Sequence, residues 1–99
     1  MTYMCISIDQ ASELIRDGEA TILDIRDPES FMRGHIENAI NVSNSNVEEV
    51  VRDQDKSKPL IIYCYHGNSS KSAAQYFYDM GFEHSYSVDG GFEEWKLRL

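Results

Sequence analysis

Two cysteines in 99 residues, Cys5 and Cys64, are too few to staple a small domain with a disulfide framework. A single bridge between them is conceivable, but reducing compartments keep thiols free, and two free thiols are expected. Positive charge is also scarce. Nine Lys and Arg stand against 17 Asp and Glu, a formal net charge of −8. Such a surface repels nucleic acid and anionic membrane, so neither is an expected partner, and an anionic substrate must be attracted locally. No apolar run approaches the ~20 residues that a membrane-spanning helix needs. Met1-Thr2-Tyr3-Met4-Cys5 lacks the charged and apolar regions of a signal peptide, so a cytoplasmic location is expected. Repeats, low-complexity tracts and linkers are absent, and residues 1–99 read as one domain. A chain of this size buries somewhat over ~60% of its unfolded surface. With 41% hydrophobic and 26% charged residues, it has the composition of a globular protein rather than a disordered one.

What is present alternates between strand and helix patterns. Tyr3 to Ile6 reads as a strand, and Ser7 with Gln10 as a capping box for a helix striped by Ala11, Leu14 and Ile15 and ended by Gly18. Thr21-Ile22-Leu23 is a second strand running into Asp24, and Asp27-Pro28 is an N-cap and first-turn proline for a short helical turn containing Phe31. Gly34 and Asn38 mark turns. A third strand, Ile40 to Val42, precedes Ser45 and Glu48, a second capping box for a helix presenting Val47, Val50 and Val51. After Pro59 comes a fourth strand ending at Cys64. Ala73, Ala74, Phe77 and Met80 then fall on one face of a helix stopped by Gly81. A fifth strand, Ser85 to Val88, turns through Asp89-Gly90-Gly91 into a last helix with Phe92 and Trp95. Strands alternating with helices imply an α/β fold with a mainly parallel sheet covered on both faces, in which ligands bind at the carboxyl ends of the strands.

Cys64 falls at such an end, between the apolar Leu60-Ile61-Ile62-Tyr63 and the polar Tyr65-His66-Gly67-Asn68-Ser69-Ser70-Lys71 that opens a helix. Unpaired N–H groups and positive charge at a helix N-terminus lower a neighbouring thiol's pKa and stabilise bound anions. Gly67 and Asn68 favour positive φ, which lets the loop curl and aim several N–H groups at one point. Ser69 and Ser70 stand where helix N-caps stand, and their hydroxyls are also suited to donate to a bound sulfur or oxyanion. Lys71 opposes the helix dipole at a cost of ~0.3–1 kcal/mol unless an anion lies nearby, so it reads either as an attractor of substrate or as an ordinary surface lysine. His66 either tunes charge near the thiolate or occupies the rim. A Cys-x-His pair supplies too few ligands for zinc, so no metal is expected. Cys5, in an apolar strand with no polar loop after it, reads as an inert core thiol. Asp24, Arg26 and Asp27 read as scaffold salt bridges and caps, His35 as structural and His84 as a surface residue.

The segments Asp24-Ile25-Arg26-Asp27-Pro28, Gly34-His35-Ile36-Glu37-Asn38-Ala39, Cys64-Tyr65-His66-Gly67-Asn68-Ser69-Ser70-Lys71 and Asp89-Gly90-Gly91-Phe92-Glu93-Glu94-Trp95 together resemble the single-domain rhodanese family, in particular the GlpE type of thiosulfate sulfurtransferase. The resemblance implies a three-layer fold with a five-stranded sheet. It implies that Cys64 is the nucleophile, that residues 65–71 bind substrate, and that no cofactor is used. The implied reaction moves the sulfane sulfur of thiosulfate through a Cys64 persulfide to cyanide or to a thiol acceptor such as reduced thioredoxin, releasing sulfite. A rhodanese-like module that carries sulfur or binds partners without turnover is the alternative. Cysteine phosphatases and arsenate reductases, which share the thiolate loop, clamp the oxyanion with an arginine where this chain has Ser70.

Overall fold

The computed structural model describes residues 2–98; Met1 and Leu99 lie outside the described residues. Five strands and five helices alternate: β1 (Met4–Ile6), α1 (Ile8–Arg16), β2 (Thr21–Asp24), α2 (Pro28–Arg33), β3 (Ile40–Asn41), α3 (Val47–Asp53), β4 (Leu60–Tyr63), α4 (Ser69–Asp79), β5 (Ser85–Val88) and α5 (Gly91–Arg98). The sheet order is β1-β5-β4-β2-β3, and every pairing is parallel. No helix among the described residues is long and apolar enough to cross a membrane.

Side-chain alternation divides the core between the two sheet faces. Ile22, Ile61, Tyr63 and Val88 pack with Ala11 of α1 and with Phe92 and Trp95 of α5. Leu23, Leu60 and Ile62 pack on the other face with Val50 of α3 and with Ala74 and Phe77 of α4. Because β4 is buried throughout, its alternation is invisible in residue type: Leu60-Ile61-Ile62-Tyr63 is apolar on both sides. The next residue in the alternation, Cys64, falls on the α4 face. On β5 the same rule sends Ser85 and Ser87 to α4, and the Ser85 hydroxyl donates to Ala74 O at 2.8 Å.

The Ser7–Gln10 capping box forms as expected, with both reciprocal bonds in place, and Asp27 caps α2 through Ser30 N–H at 3.1 Å with Pro28 in the first position. The capping box expected at Ser45 and Glu48 does not form. Asn46 is the residue before α3, and its side chain instead accepts from Ser43 N–H at 2.8 Å and donates to Asn41 O at 2.9 Å. Tying the loop back to β3 takes precedence there over capping the helix. Met80, expected on the buried stripe of α4, is 43% exposed, because the stripe ends with Phe77 and the chain turns at Gly81 toward Phe82.

Candidate active site

Three short segments converge at the carboxyl end of β4. The first is the loop itself. Cys64 Sγ accepts from Gly67 N–H at 3.2 Å and Ser70 N–H at 3.3 Å, and the Ser70 hydroxyl lies 3.4 Å away. Of the two residues expected to curl the chain, only Gly67 takes positive φ, at +97°, while Asn68 sits at −89°. Burial pushes the Cys64 thiol up, but the Ser70 hydroxyl and the N–H groups of Ser70, Gly67 and His66 outweigh it and hold the thiol below the ordinary cysteine value. Neither serine caps α4. Asn68 precedes the helix without a side-chain cap, and Ser70, fully buried, has its Oγ between the sulfur and Ser87 Oγ.

The second segment is the β5–α5 turn. Phe92 N–H donates to Cys64 O at 2.9 Å, and Glu93 N–H donates to Tyr65 O at 3.1 Å, so the start of α5 grips the backbone of the loop. Gly91 at φ +59° makes this approach possible, since a β-carbon there would lie 2.5 Å from Tyr65 O and 2.6 Å from Cys64 O. Asp89-Gly90-Gly91, expected only to set the last helix, thus also holds the loop. Gly91→Ala combines left-handed strain of ~1–2 kcal/mol with overpacking of ~1–3 kcal/mol. The expected result is a drop in melting temperature of more than about 10 °C together with loss of Cys64 reactivity; an unchanged melting curve in differential scanning calorimetry contradicts it.

The third segment follows β2. Asp24 and Arg26 form a buried ion pair, with Nη2 of Arg26 2.7 Å from Oδ2, and Nη2 also donates to Gly34 O at 2.7 Å. The guanidinium stacks 4.2 Å over Phe92 and lies 5.9 Å from the Tyr65 ring. Tyr65 O–H donates to the exposed carboxylate of Asp27, with Ser30 Oγ 3.1 Å away. The scaffold role expected for Asp24, Arg26 and Asp27 is therefore extended: they brace the first residue of the loop.

Cys64 is 3% exposed, while Tyr65, His66, Asn68 and Ser69 around it are exposed, as is Lys71. His35 stacks on Phe31 at 3.7 Å and bonds Phe31 O at 2.7 Å, and His84 is exposed. Among the described residues no group of three His, Cys, Asp or Glu side chains is placed to hold a metal ion.

Residues 7–98 match the family described as the rhodanese-like domain. The chain belongs to this family. A rhodanese-related protein of Thermoplasma volcanium superposes with a TM-score of 0.81 at 29% identity, covering 97% of this chain and 93% of that one. The rhodanese-like domain of an Anabaena protein gives 0.81 at 25% identity, over 94% of this chain and 73% of the other. A Rhodopseudomonas palustris protein of unknown function, described as a possible tyrosine phosphatase, gives 0.82 at 26% identity, over 97% and 81%. The expected five-stranded α/β rhodanese-like architecture is the one found.

In this rhodanese-like domain Cys5 departs from expectation. It is exposed: β1 is a three-residue strand at the edge of the sheet. The bridge to Cys64 is excluded by geometry. Cys5 aligns with Ser87 and Ser87 with Ile62, so the two cysteines lie two strands across and two residues along, ~12 Å between Cα atoms, where a disulfide needs ~4.4–6.8 Å. Sequence reasoning missed Ser87 and the grip of α5 on the loop. The alternation Ser85-Tyr86-Ser87-Val88, which puts both serines on the α4 face, was the available signal for the first.

Proposed function

We propose that this rhodanese-like domain is a thiosulfate sulfurtransferase of the GlpE type, with Cys64 as nucleophile. The Cys64 thiolate attacks the outer sulfur of thiosulfate, the S–S bond breaks, and sulfite leaves with the bonding electron pair, so that Cys64 carries a persulfide anion. Cyanide then takes the terminal sulfur as thiocyanate and regenerates the thiolate. A dithiol such as reduced thioredoxin achieves the same end by forming its own disulfide and releasing hydrogen sulfide. The carrying observation is the convergence of Gly67 N–H, Ser70 N–H and the Ser70 hydroxyl on one sulfur, which lowers its pKa despite burial. Fixed donors of this kind favour the thiolate and the persulfide anion alike, so catalysis is mainly preorganised electrostatics and positioning. The residues proposed to hold the donor are Tyr65, His66, Gly67, Asn68, Ser69, Ser70 and Lys71.

Nothing at the site favours phosphoryl chemistry. Ser70 occupies the position where an arginine fork is needed, and Arg26 already commits Nε and Nη2 to Asp24 and Gly34 O.

Incubation with thiosulfate is expected to add the mass of one sulfur atom, localised by peptide mass spectrometry to Cys64, and steady-state thiocyanate formation is expected when cyanide is supplied. Loading without turnover indicates the carrier module, and failure to load a reduced, folded protein overturns the proposal.

Lys71 is exposed in the first turn of α4 and enters none of the ion pairs among the described residues. Its attraction for a dianion is screened by salt. Lys71→Ala is expected to lower kcat/KM for thiosulfate about two- to fivefold at low ionic strength, in the range of an exposed charge pair, and less at high. An equal loss at both salt concentrations contradicts this role.

A further inference from the structure

Behind Ser70 lies a second hydroxyl. Ser87 Oγ is 2.7 Å from Ser70 Oγ, and both serines are fully buried. Among the described residues Ser70 is the only hydrogen-bond partner of the Ser87 hydroxyl, while Ser70 Oγ also has Cys64 Sγ at 3.4 Å.

Each hydroxyl has one proton to give, and a buried O–H without an acceptor is costly. If Ser70 donated to Ser87, the Ser87 proton would be left without a partner. The arrangement that pairs both protons runs from Ser87 to Ser70 and from Ser70 to the sulfur, and each bond in such a chain strengthens the next. It also makes Ser70 a poor acceptor for a Cys64 S–H, since accepting one would leave the Ser70 proton unplaced.

We propose that Ser87 is a positioning residue, whose hydroxyl locks the Ser70 O–H onto the Cys64 sulfur. The proposal rests on Cys64 being the reactive thiolate. Ser87 reaches this place because β5 alternation turns it toward α4 and the register sets it beside Ile62 of β4, two residues before Cys64.

The charged and titratable groups around the loop and Ser87 are His66 in the loop, Lys71 on α4, Arg26 and Asp27 behind Tyr65, Asp89 and Glu93 from the β5–α5 side, and Cys5 on β1 beside Ser87. All of these except Cys5 are unchanged in the variants below, so none accounts for a difference among them.

The test is the rate of alkylation by iodoacetamide as a function of pH, in a Cys5→Ala background so that only Cys64 reacts. Ser87→Ala is expected to slow alkylation near neutral pH about three- to tenfold, as befits one hydrogen bond, and to move the midpoint of the pH profile upward. Ser87→Thr, which keeps the hydroxyl, is expected to restore much of the rate. In a Ser70→Ala protein, adding Ser87→Ala is expected to change nothing more, because Ser87 acts only through Ser70. A pH profile unmoved by Ser87→Ala, or full additivity of the two alanine variants, overturns the proposal. A Ser87→Thr that is unfolded in circular dichroism leaves the decision to the additivity measurement. Alkylation needs no sulfur donor, so the result stands apart from whether the protein uses thiosulfate.

Discussion

Alanine at position 64 is expected to abolish sulfur uptake from thiosulfate while the protein stays folded. Cys64 is small and buried at the end of β4, and its side chain contributes little apolar packing beyond the β-carbon that alanine keeps. What disappears is the acceptor for Gly67 N–H and Ser70 N–H. An unsatisfied buried donor costs ~1–3 kcal/mol, and a water in the space the sulfur vacates, bonded to both N–H groups, reduces that cost. A net loss of ~1–2 kcal/mol is therefore expected, a minor part of the ~5–15 kcal/mol that holds a domain together. Cys5→Ala provides the contrast. Cys5 is exposed, and among the described residues no hydrogen bond reaches its sulfur, so its removal is expected to leave sulfur loading intact. Mass spectrometry of the two variants after thiosulfate treatment decides the matter: residual loading of the Cys64→Ala protein would locate the chemistry elsewhere.

The second large effect is expected at Arg26, where the change in stability should exceed that of any surface substitution. Arg26→Met keeps most of the packing under Phe92 and Tyr65 but removes the donors Nε and Nη2 from Asp24, which is fully buried. Taking one partner from a buried ion pair costs ~3–5 kcal/mol, because the remaining charge is stranded in a poor solvent. For a chain of this length that corresponds to a fall in melting temperature well beyond 10 °C. Asp24 still accepts from the residue 26 N–H at 2.8 Å, which is too little to compensate a full charge. Replacing both residues, Asp24→Asn with Arg26→Met, is expected to recover much of the loss, since no unpaired charge then remains. Thermal unfolding of the two proteins separates this account from simple loss of packing, which predicts no recovery in the double variant. Because Arg26 also donates to Gly34 O and lies over the Tyr65 ring, the single variant is expected to loosen the loop as well.

The fold was legible because its signals are local. Ser7 with Gln10 and Asp27-Pro28 announce helix starts, and the order of strand and helix patterns forces parallel crossovers. Ser45 with Glu48 carried an equally plain signal and misled, since Asn46 spends its side chain on Ser43 and Asn41 rather than leaving the neighbouring serine to cap α3. Cys5 misled for a different reason. Residue type says that a thiol in an apolar strand is buried, but whether a strand lies at the edge of a sheet is a matter of order, and β1 is an edge.

The sequence by itself determined the α/β architecture, the position of the thiol at the end of a buried strand, and the helix start that turns N–H groups toward it, because each depends on residues within a few positions of one another. Only the tertiary structure decided which groups from distant segments meet at that thiol. Ser87 reaches the Ser70 hydroxyl through sheet register, the Phe92 and Glu93 N–H groups reach the loop carbonyls through the start of α5, and the Arg26 guanidinium lies 5.9 Å from the Tyr65 ring. Those contacts join residues 17 or more positions apart, and what selects them is the order in which the strands assemble.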